Sequence, residues 1–226
     1  MLESEHLRHA DPELLQRTYD DILYRDIAAR HGIRETKALA ALAQLLFTQV
    51  SSDLNFGRLK EALHLASATT VRQFVGYLED ACLVYEVRRF DFSLKRQYIT
   101  GRKIYVVDNG MRRAVAFTTS PDAGRLLENA VHLELRRRGG EVYFFREKGD
   151  CDFIYRHRGA TVAIQVCLRL SEENRTREMR GLQEAARALG HQSGVMVTLD
   201  QEGEETVGGI QVTSVPAWRW LLEGGA

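Results

Sequence analysis

The sequence predicts an α+β fold, α/β in its second part, in which a helical N-terminal module precedes a mixed sheet flanked by helices. Three observations lead to this prediction. Apolar residues recur at spacings of three and four through the first fifty residues. Two short helical patterns and two strand-like runs follow, and after residue 124 helical patterns alternate with strand-like runs. A chain of 226 residues is long enough for two such parts, each with its own core.

The composition is that of a globular protein in water, with 44% hydrophobic and 27% charged residues. No apolar run approaches the roughly 20 residues that cross a bilayer, and the charged start MLESEHLRHADPELL lacks the apolar core of a secretory signal. We therefore expect a cytoplasmic protein with no membrane partner. The three cysteines, Cys82, Cys151 and Cys167, lack the paired spacing of a disulfide framework or zinc site, and Cys82 is predicted to fill the core.

Residues 1–50 are predicted to form a helical segment. The stretches ELLQRTYDDILYRDIAARHGI and TKALAALAQLLFTQV each place their apolar residues on one stripe. Residues 51–116 are assigned to a second domain and residues 117–226 to a third. The boundary between these two is expected in the polar, proline-containing stretch Phe117–Gly124.

The second domain begins with a helix-turn-helix pattern in NFGRLKEALHLASATTVRQFVGYLEDACLV. The second helix is expected to start near Thr69 with Ser67 or Thr69 as its N-cap, and its inward-facing residues are Val71, Val75 and Leu78. The residues that would project away from this stripe are Thr70, Arg72, Gln73 and Tyr77. In a DNA-binding version these four residues would reach base edges and phosphates, and Thr70, Arg72 and Gln73 are the candidate DNA contacts. Arg and Gln suit that task because they can make paired hydrogen bonds to guanine and adenine.

Two strand-like runs, LVYEVRRFDF and RKIYVVD, then flank the polar stretch SLKRQYITG. A helix-turn-helix followed by such a hairpin is the winged-helix arrangement, with residues 93–101 as the wing and Lys95, Arg96 and Arg102 as candidate DNA contacts. Between Arg88 and Arg113 eight basic residues face two acids, an excess of six positive charges that could meet phosphates. The alternatives are a solvated strand face and a module that packs only on other proteins.

The segment Ile104–Asn109, IYVVDN, resembles the Walker B strand of an ATPase. That interpretation requires a phosphate loop of the form GxxxxGK[ST], and the chain contains none. We therefore interpret the segment as a buried strand that ends at a turn, and we do not expect this polypeptide alone to hydrolyse ATP.

The third domain shows an order of elements on which restriction-endonuclease-like nucleases build their metal site. The helix GRLLENAVHLELRRRGG precedes three strands, EVYFFRE, CDFIYRHR and TVAIQVCLRL, and the helix EENRTREMRGLQEAARALG follows. The strands GVMVTL and IQVTSV and the helix PAWRWLLE complete the domain. In such a site two or three carboxylates converge on Mg²⁺ or Mn²⁺ and a nearby lysine orients or activates water.

The candidate site residues are Glu128, Asp152, Gln165 and Cys167. Glu128 lies on the helix, Asp152 opens the second strand, and Gln165 and Cys167 stand on the third strand where an acid and a lysine are expected. Gln165 can offer a neutral oxygen to a metal, but a cysteine cannot replace an ammonium group beside a scissile phosphate. Glu128 and Asp152 are the candidate metal ligands. The alternative is that Glu128 only anchors its helix to the sheet through hydrogen bonds.

With these residues the chain resembles the C-terminal half of a large prokaryotic family of AAA-type ATP-binding proteins. The matching pieces are ILYRDIAARHGI, LASATTVRQFVGYLEDACLVYEV, KIYVVDNGMR, GRLLENAVHLELRRRG, EVYFFREKGDCDF and AIQVCLRL, which together span roughly residues 15–220. The resemblance implies a winged-helix segment and a C-terminal region similar to the PD-(D/E)XK nuclease fold. It also implies an ATPase domain that this chain lacks, so that the chain corresponds to a fragment or a truncated gene. The family's third-strand motif E-V-K is here Gln165-Val166-Cys167.

Three functional hypotheses follow from these patterns. The first is a non-catalytic module that binds double-stranded DNA or a protein through the winged helix, with a degenerate nuclease-like domain. The second is a scaffold that docks an ATPase domain or forms a homo-oligomer. The third is an active Mg²⁺- or Mn²⁺-dependent DNA endonuclease that uses Glu128, Asp152 and Gln165.

Overall fold

A computed structural model describes residues 11–117 and 122–223 of the chain. These residues form helices and both parallel and antiparallel strand pairs, so the predicted α+β class is confirmed. The chain folds into two compact units. The first unit comprises the described residues of Met1–Glu86 and Ile104–Pro121, and the second those of Val87–Lys103 and Asp122–Ala226. No helix in the described part is both long enough and apolar enough to span a bilayer.

The described residues form both helices and strands along the chain. In chain order, the helices are α1 (Pro12–Asp21), which runs on into a π-helical segment (Ile22–Ala29), α2 (Thr36–Thr48), α3 (Phe56–Ala62), α4 (Ala68–Asp80), α5 (Leu94–Ile99), α6 (Asn109–Val115), α7 (Ala123–Arg137), α8 (Glu172–Ala188) and α9 (Ala217–Glu223). The strands are β1 (Ser52–Asp53), β2 (Val84–Arg89), β3 (Arg102–Val106), β4 (Glu141–Arg146), β5 (Asp150–His157), β6 (Ala160–Cys167), β7 (Ser193–Thr198), β8 (Gly203–Val207) and β9 (Ile210–Pro216).

The first unit is built around the helices that the periodicity predicted. α1 begins at a proline after Asp11, whose carboxylate accepts the backbone N–H of Glu13 at 3.0 Å and thereby caps the helix. The apolar stripes of the first two predicted helices meet in one core that includes Leu23, Leu42 and Leu46. The helical prediction is therefore correct for residues 12–29 and 36–48, and the described part begins only at residue 11.

The two short helices α3 and α4 are joined by a tight turn, as the pattern predicted. The Ser67 hydroxyl accepts the backbone N–H of Thr70 at 3.1 Å, which makes Ser67 the N-cap of α4 and decides between the two candidates. Val71, Val75 and Leu78 are fully buried, as expected from their spacing. The first unit thus presents α4 with one apolar face inward and the opposite face to solvent.

Cys82 was predicted to fill the core, and this prediction is wrong. The residue is exposed, and its φ of 58° places it in the left-handed region. Its backbone N–H donates to the carbonyl of Glu79 at 2.9 Å, so it forms the turn that leads from α4 to β2. Apolar sequence neighbours did not reveal the turn, because in a tight turn the chain reverses within a few residues.

The stretch predicted as the wing, residues 93–101, contains helix α5. Gln97 on this helix is buried, and its side-chain amide donates to the carbonyl of Asp91 at 2.6 Å. The helix has six residues, which is too short for apolar periodicity to be visible in the sequence. The predicted boundary stretch Phe117–Gly124 includes residues 118–121, which lie outside the described residues.

In the second unit the strands follow the order β3-β2-β4-β5-β6-β7-β9-β8. Of the first two strands, only Val87–Arg89 of β2 and Arg102 and Lys103 of β3 belong to this unit. β4, β5 and β6 are antiparallel neighbours, whereas β6, β7 and β9 run parallel. The apolar stripe of α8 packs on this sheet through Met179, Leu182 and Ala185. The predicted order from α7 to α9 is correct except for β8, whose sequence GEETV carries too few apolar residues to signal a strand.

Candidate functional site

Three of the four predicted catalytic positions line one cleft of the second unit. Asp152 lies near the start of β5 and Gln165 near the end of β6; because these strands are antiparallel, the two residues lie at the same end of the sheet. Glu128 reaches this end from α7. The cleft has a volume of about 490 Å³ and is lined by Glu128, Lys148, Gly149, Asp150, Asp152, Gln165, Val166, Arg177, Glu178 and Arg180.

A lysine that was not predicted as a member of this site bridges its two acids. Lys103, on β3, is 6% exposed, and its Nζ lies 3.1 Å from Oδ1 of Asp152 and 3.2 Å from Oε1 of Glu128. In the sequence Lys103 was only one member of the basic run from Arg88 to Arg113. The ammonium group thus lies between the two carboxylates that were predicted to bind a metal ion.

The charge state of Lys103 follows from two opposing effects. Burial by itself lowers the pKa of the ammonium group, because the charged form loses its hydration. The charges of Asp152 and Glu128, together with their hydrogen bonds to Nζ, outweigh burial, so the pKa of Lys103 lies above its ordinary value. Lys103 therefore stays positively charged at neutral pH and compensates the charge of the carboxylates that it contacts.

Gln165 is engaged through both ends of its amide. Its Oε1 accepts the backbone N–H of Asp152 at 3.1 Å, and its Nε2 donates to Oε2 of Glu178 at 2.6 Å. The remaining oxygen of Asp152, Oδ2, accepts the backbone N–H of Val166 at 3.1 Å. These bonds hold Asp152 and Gln165 in a fixed arrangement. The uncharged amide of Gln165 supports this arrangement by donating to the carboxylate of Glu178.

Glu178 is a further member of the site that sequence reasoning missed. It is 7% exposed on α8, and its Oε1 accepts a hydrogen bond from Nε of Arg177 at 3.1 Å. A signal was present, because Glu178 stands four residues before the buried Leu182 and therefore lies on the apolar stripe of the helix. An acid on an apolar stripe requires a polar partner inside the fold, and here that partner is Gln165.

A close approach of α8 to the sheet brings Glu178 to the cleft. The Cα of Gly181 faces the start of β5 so closely that a Cβ there would overlap the carbonyl group of Asp150. Glycine at position 181 thus allows the helix to pack against the strand that carries Asp152, where a larger residue would push the two apart.

Cys167 does not line the cleft. It packs in the apolar cluster beneath α8 and accepts a hydrogen bond from Nδ2 of Asn174 at 3.6 Å. Burial raises the pKa of its thiol, which is therefore neutral at physiological pH. The position that the resemblance assigned to a lysine is accordingly occupied by an uncharged core residue, and the positive charge of the site comes from Lys103 instead.

The other acids near the predicted site have separate roles. Asp150 stands at the rim of the cleft, where its Oδ1 lies 2.7 Å from Nε of Arg146. Glu134, on α7, contacts Arg137 at 2.6 Å and Arg138 at 2.8 Å. The hydrogen bond from Arg137 is the main reason that the pKa of Glu134 is lowered.

The donor set of the cleft does not fit a divalent cation. Across residues 11–117 and 122–223, no group of three or more His, Cys, Asp or Glu side chains is placed to hold a metal ion. Glu128 and Asp152 each contact the ammonium group of Lys103, and the oxygen of Gln165 faces a backbone N–H. Mg²⁺ and Mn²⁺ need several oxygens directed at one point, and these oxygens are already directed elsewhere.

Of the predicted DNA contacts, Thr70, Arg72 and Gln73 stand on α4 in the first unit. Arg72 and Gln73 are exposed and Thr70 is half-buried. The guanidinium of Arg72 lies over the ring of Phe56 at 4.4 Å, and the amide of Gln73 donates to the Tyr77 hydroxyl at 2.7 Å. Both side chains are thus held at the surface by an aromatic neighbour.

The other three candidates, Lys95, Arg96 and Arg102, belong to the second unit. Lys95 and Arg96 are exposed on α5, and Arg102 donates from Nη2 to the carbonyl of Tyr98 at 3.1 Å. The charge excess of the run from Arg88 to Arg113 is smaller at the surface than in the sequence. Lys103 is 6% and Arg112 only 2% exposed, since both have partners inside the fold.

The fold and the cleft define an α+β protein of two compact units whose second unit contains a buried lysine–carboxylate cluster. The chain belongs to the family described as "Domain of unknown function (DUF8612)", which matches residues 3–122. Residues 123–218 match a second family, "Domain of unknown function (DUF4143)". The cluster around Asp152 falls almost entirely within this second match, and Lys103 is contributed from the first.

Two curated relatives are similar to most of the chain. An uncharacterized protein of Methanocaldococcus jannaschii is 32% identical over 225 residues, covering 93% of this chain and 50% of the relative. An uncharacterized protein of Haemophilus influenzae is 27% identical over 210 residues, covering 91% of this chain and 51% of the relative. The chain spans about half the length of these relatives. No solved structure matches the chain.

Proposed function

We propose that this chain is a non-catalytic DNA-binding module of an AAA-type ATP-binding protein. In this proposal α4 of a winged-helix module contacts duplex DNA, and the PD-(D/E)XK-like unit has lost metal-dependent cleavage. The observation that carries the proposal is the contact of the Lys103 ammonium group with both Glu128 and Asp152, at 3.2 and 3.1 Å. A cytoplasmic location is part of the proposal, because the proposed partner is DNA.

The lysine argues against cleavage on energetic grounds. A metal ion that bound between Glu128 and Asp152 would have to displace the ammonium group of Lys103. A buried charge that loses its partner costs about 3–5 kcal/mol, so a metal ion would have to offset this loss before it gained any affinity. Gln165 adds no negative charge to favour the exchange. In a nuclease a metal ion supplies positive charge at this position. Here the ammonium group of Lys103 supplies it, and hydrogen bonds to Glu128 and Asp152 hold that group in place.

The DNA-binding part of the proposal is supported by the outer face of α4. Arg72 and Gln73 are exposed there on a helix whose opposite face is buried and whose start is capped by Ser67. Arg72 lies over the ring of Phe56 and Gln73 donates to the Tyr77 hydroxyl, so both side chains lose less conformational freedom on binding than free ones would. Arg and Gln are the residue types that make paired hydrogen bonds to guanine and adenine in the major groove.

The test is a fluorescence anisotropy titration of the chain into a labelled duplex at about 50 and 200 mM salt. The parent is expected to bind more weakly at the higher salt, because phosphate contacts release counterions. Arg72→Ala and Gln73→Ala should each weaken binding by roughly fivefold to a hundredfold, which corresponds to about 1–3 kcal/mol. Arg17→Ala is the matched control, since Arg17 is exposed on α1 and pairs with Glu13. Unchanged binding in both α4 variants would contradict the proposed contact.

A second candidate function is the metal-dependent endonuclease, and one observation favours it. Three carboxylates, those of Glu128, Asp152 and Glu178, line the same cleft. If the chain cuts duplex DNA with Mn²⁺ and Asp152→Ala abolishes the cutting, Lys103 must move on activation and the non-catalytic proposal fails. Cutting that survives Asp152→Ala would instead indicate a contaminating nuclease.

A further inference from the structure

The connection between β2 and β3, residues 90–101, exposes an unusual amount of apolar surface. Among the described residues ten large apolar side chains are exposed, and four of them lie between residues 92 and 99. Their exposed fractions are 79% for Phe92, 70% for Leu94, 56% for Tyr98 and 71% for Ile99. Single exposed apolar residues are common, but four of them within eight residues of one connection indicate an interaction site.

The surroundings of this group are positively charged. Lys95 and Arg96 are exposed on α5 beside Leu94, and the guanidinium of Arg88 lies over the ring of Tyr98 at 4.2 Å. The acid within the connection is Asp91, which lies 3.5 Å from Nε of Arg96. A binding partner that complements this surface therefore carries negative charge next to a narrow apolar region.

The connection is supported from inside the unit. Gln97 is buried and donates to the carbonyl of Asp91 at 2.6 Å, while the backbone N–H of Ser93 donates to Oδ1 of Asp91 at 2.8 Å. Phe90 is buried beside Tyr143, with ring centroids 5.7 Å apart. An apolar group on a supported segment can be pressed against a partner with little further loss of entropy from ordering the segment.

We propose that the β2–β3 connection is a wedge that enters the minor groove of duplex DNA. Leu94 and Ile99 insert at a base step and partly unstack it, and Lys95 and Arg96 contact the phosphates on either side. Apolar side chains flanked by Arg and Lys are the means by which minor-groove proteins kink a duplex. The wedge rests on the proposed DNA-binding function and adds to it a defined deformation of the DNA.

The experiment uses two duplexes with the full chain. One carries 2-aminopurine at a central TA step, whose fluorescence rises when the base unstacks, and the other carries a donor and an acceptor dye at its ends. The parent is expected to raise the 2-aminopurine signal and the energy transfer as it binds. The variant Leu94→Ala/Ile99→Ala should lose most of both signals and keep an affinity within about threefold of the parent, since unstacking cost and wedge contacts offset each other.

The matched control is Leu14→Ala/Leu222→Ala, which removes two other exposed leucines and should leave both signals unchanged. If the parent binds DNA without either signal, the wedge is overturned and the proposed function stands. The same conclusion follows if the Leu94→Ala/Ile99→Ala variant keeps both signals. Absence of DNA binding by the parent would overturn both proposals. A parallel titration with phosphatidylserine vesicles tests whether the surface binds lipid instead. Vesicle binding that depends on Leu94 and Ile99, in a chain that does not bind DNA, would assign the surface to lipid.

Discussion

Nζ of Lys103 and Oδ1 of Asp152 lie 3.1 Å apart in the interior of the second unit, although the two residues are 49 positions apart in the chain. The same Nζ contacts Oε1 of Glu128 at 3.2 Å. A buried charge is tolerated when it is paired and hydrogen-bonded, and each of these three groups satisfies the others. The cluster therefore has a structural role whether or not the cleft has a chemical one, and this role can be measured.

Replacement of Lys103 by methionine is expected to destabilise the protein. Lys103→Met keeps the side-chain length but leaves Asp152 and Glu128 without their cation, which should lower the free energy of unfolding by about 3–5 kcal/mol. Urea denaturation at neutral pH measures the effect, and Lys148→Met, at the exposed rim of the cleft, is the control. The double variant Lys103→Met/Asp152→Asn should lose less than the sum of the single variants, because the two residues interact directly. Strict additivity would refute the pairing.

The melting temperature of the parent is expected not to change when Mg²⁺ or Mn²⁺ is added. Lys103→Ala removes the competing ammonium group, so in this variant Mn²⁺ should raise the melting temperature. A ligand at a hundred times its dissociation constant adds about 2.7 kcal/mol to the free energy of unfolding. Thermal unfolding with and without Mn²⁺ measures the response, and Lys103→Ala/Asp152→Ala should show none. A Mn²⁺-dependent rise in the parent that disappears in Asp152→Ala would favour the endonuclease.

His132 on α7 is expected to make stability depend on pH. Burial, with a smaller contribution from Arg136, lowers the pKa of His132 from 6.5 to about 3. In acid the unfolded chain takes up a proton before the folded one, so the contribution is present above pH 6.5 and is lost as the pH falls towards 3. The loss is about 3 kcal/mol at about pH 4. Urea midpoints from about pH 7.5 to 4 should fall less steeply in His132→Gln than in the parent, and an equally steep fall in both would contradict the prediction.

Gly181 should not tolerate a side chain. Gly181→Ala places a Cβ against the carbonyl group of Asp150, which is backbone and cannot rotate away. The strain should cost about 1–3 kcal/mol or more and should shift Asp152 relative to Glu178. Gly76→Ala is the matched control, because Gly76 is also a helical glycine but has no atom within 4 Å of an added Cβ. This control should gain up to about 1 kcal/mol from helix propensity. Equal melting temperatures of the two variants would contradict the close approach.

Much of the fold could be predicted because its signals are local. The apolar stripes of α2, α4 and α7 and the runs that form β5 and β6 are each visible within about fifteen residues of sequence. Elements without such a signal were missed: α5 has six residues, and β8 has the polar sequence GEETV. Asp108 was assigned to a turn, and it is in fact the N-cap of α6, since its Oδ1 accepts the backbone N–H of Met111 at 2.6 Å.

The residues of the candidate site also fall into those that the sequence revealed and those that it did not. Glu128, Asp152 and Gln165 were found because their positions follow from the order of one helix and three strands, and they do line one cleft. Lys103 and Glu178 were not found, because nothing within their own segments indicates that they would meet the same carboxylate and amide groups. Cys167 was placed correctly on β6, but its side chain packs in the cluster beneath α8.

The sequence by itself determined most of the segments that become helices and strands, α5 and β8 excepted, since those segments are marked by the spacing of their apolar residues. It also determined which residue types stand at the end of the sheet, including a glutamine where an acid is expected. Only the tertiary structure decided how these groups are paired. Lys103 on β3 contacts Asp152 on β5 although β2 and β4 lie between these strands in the sheet. A charge buried in that interior takes its partner from whatever the packing places within hydrogen-bonding distance.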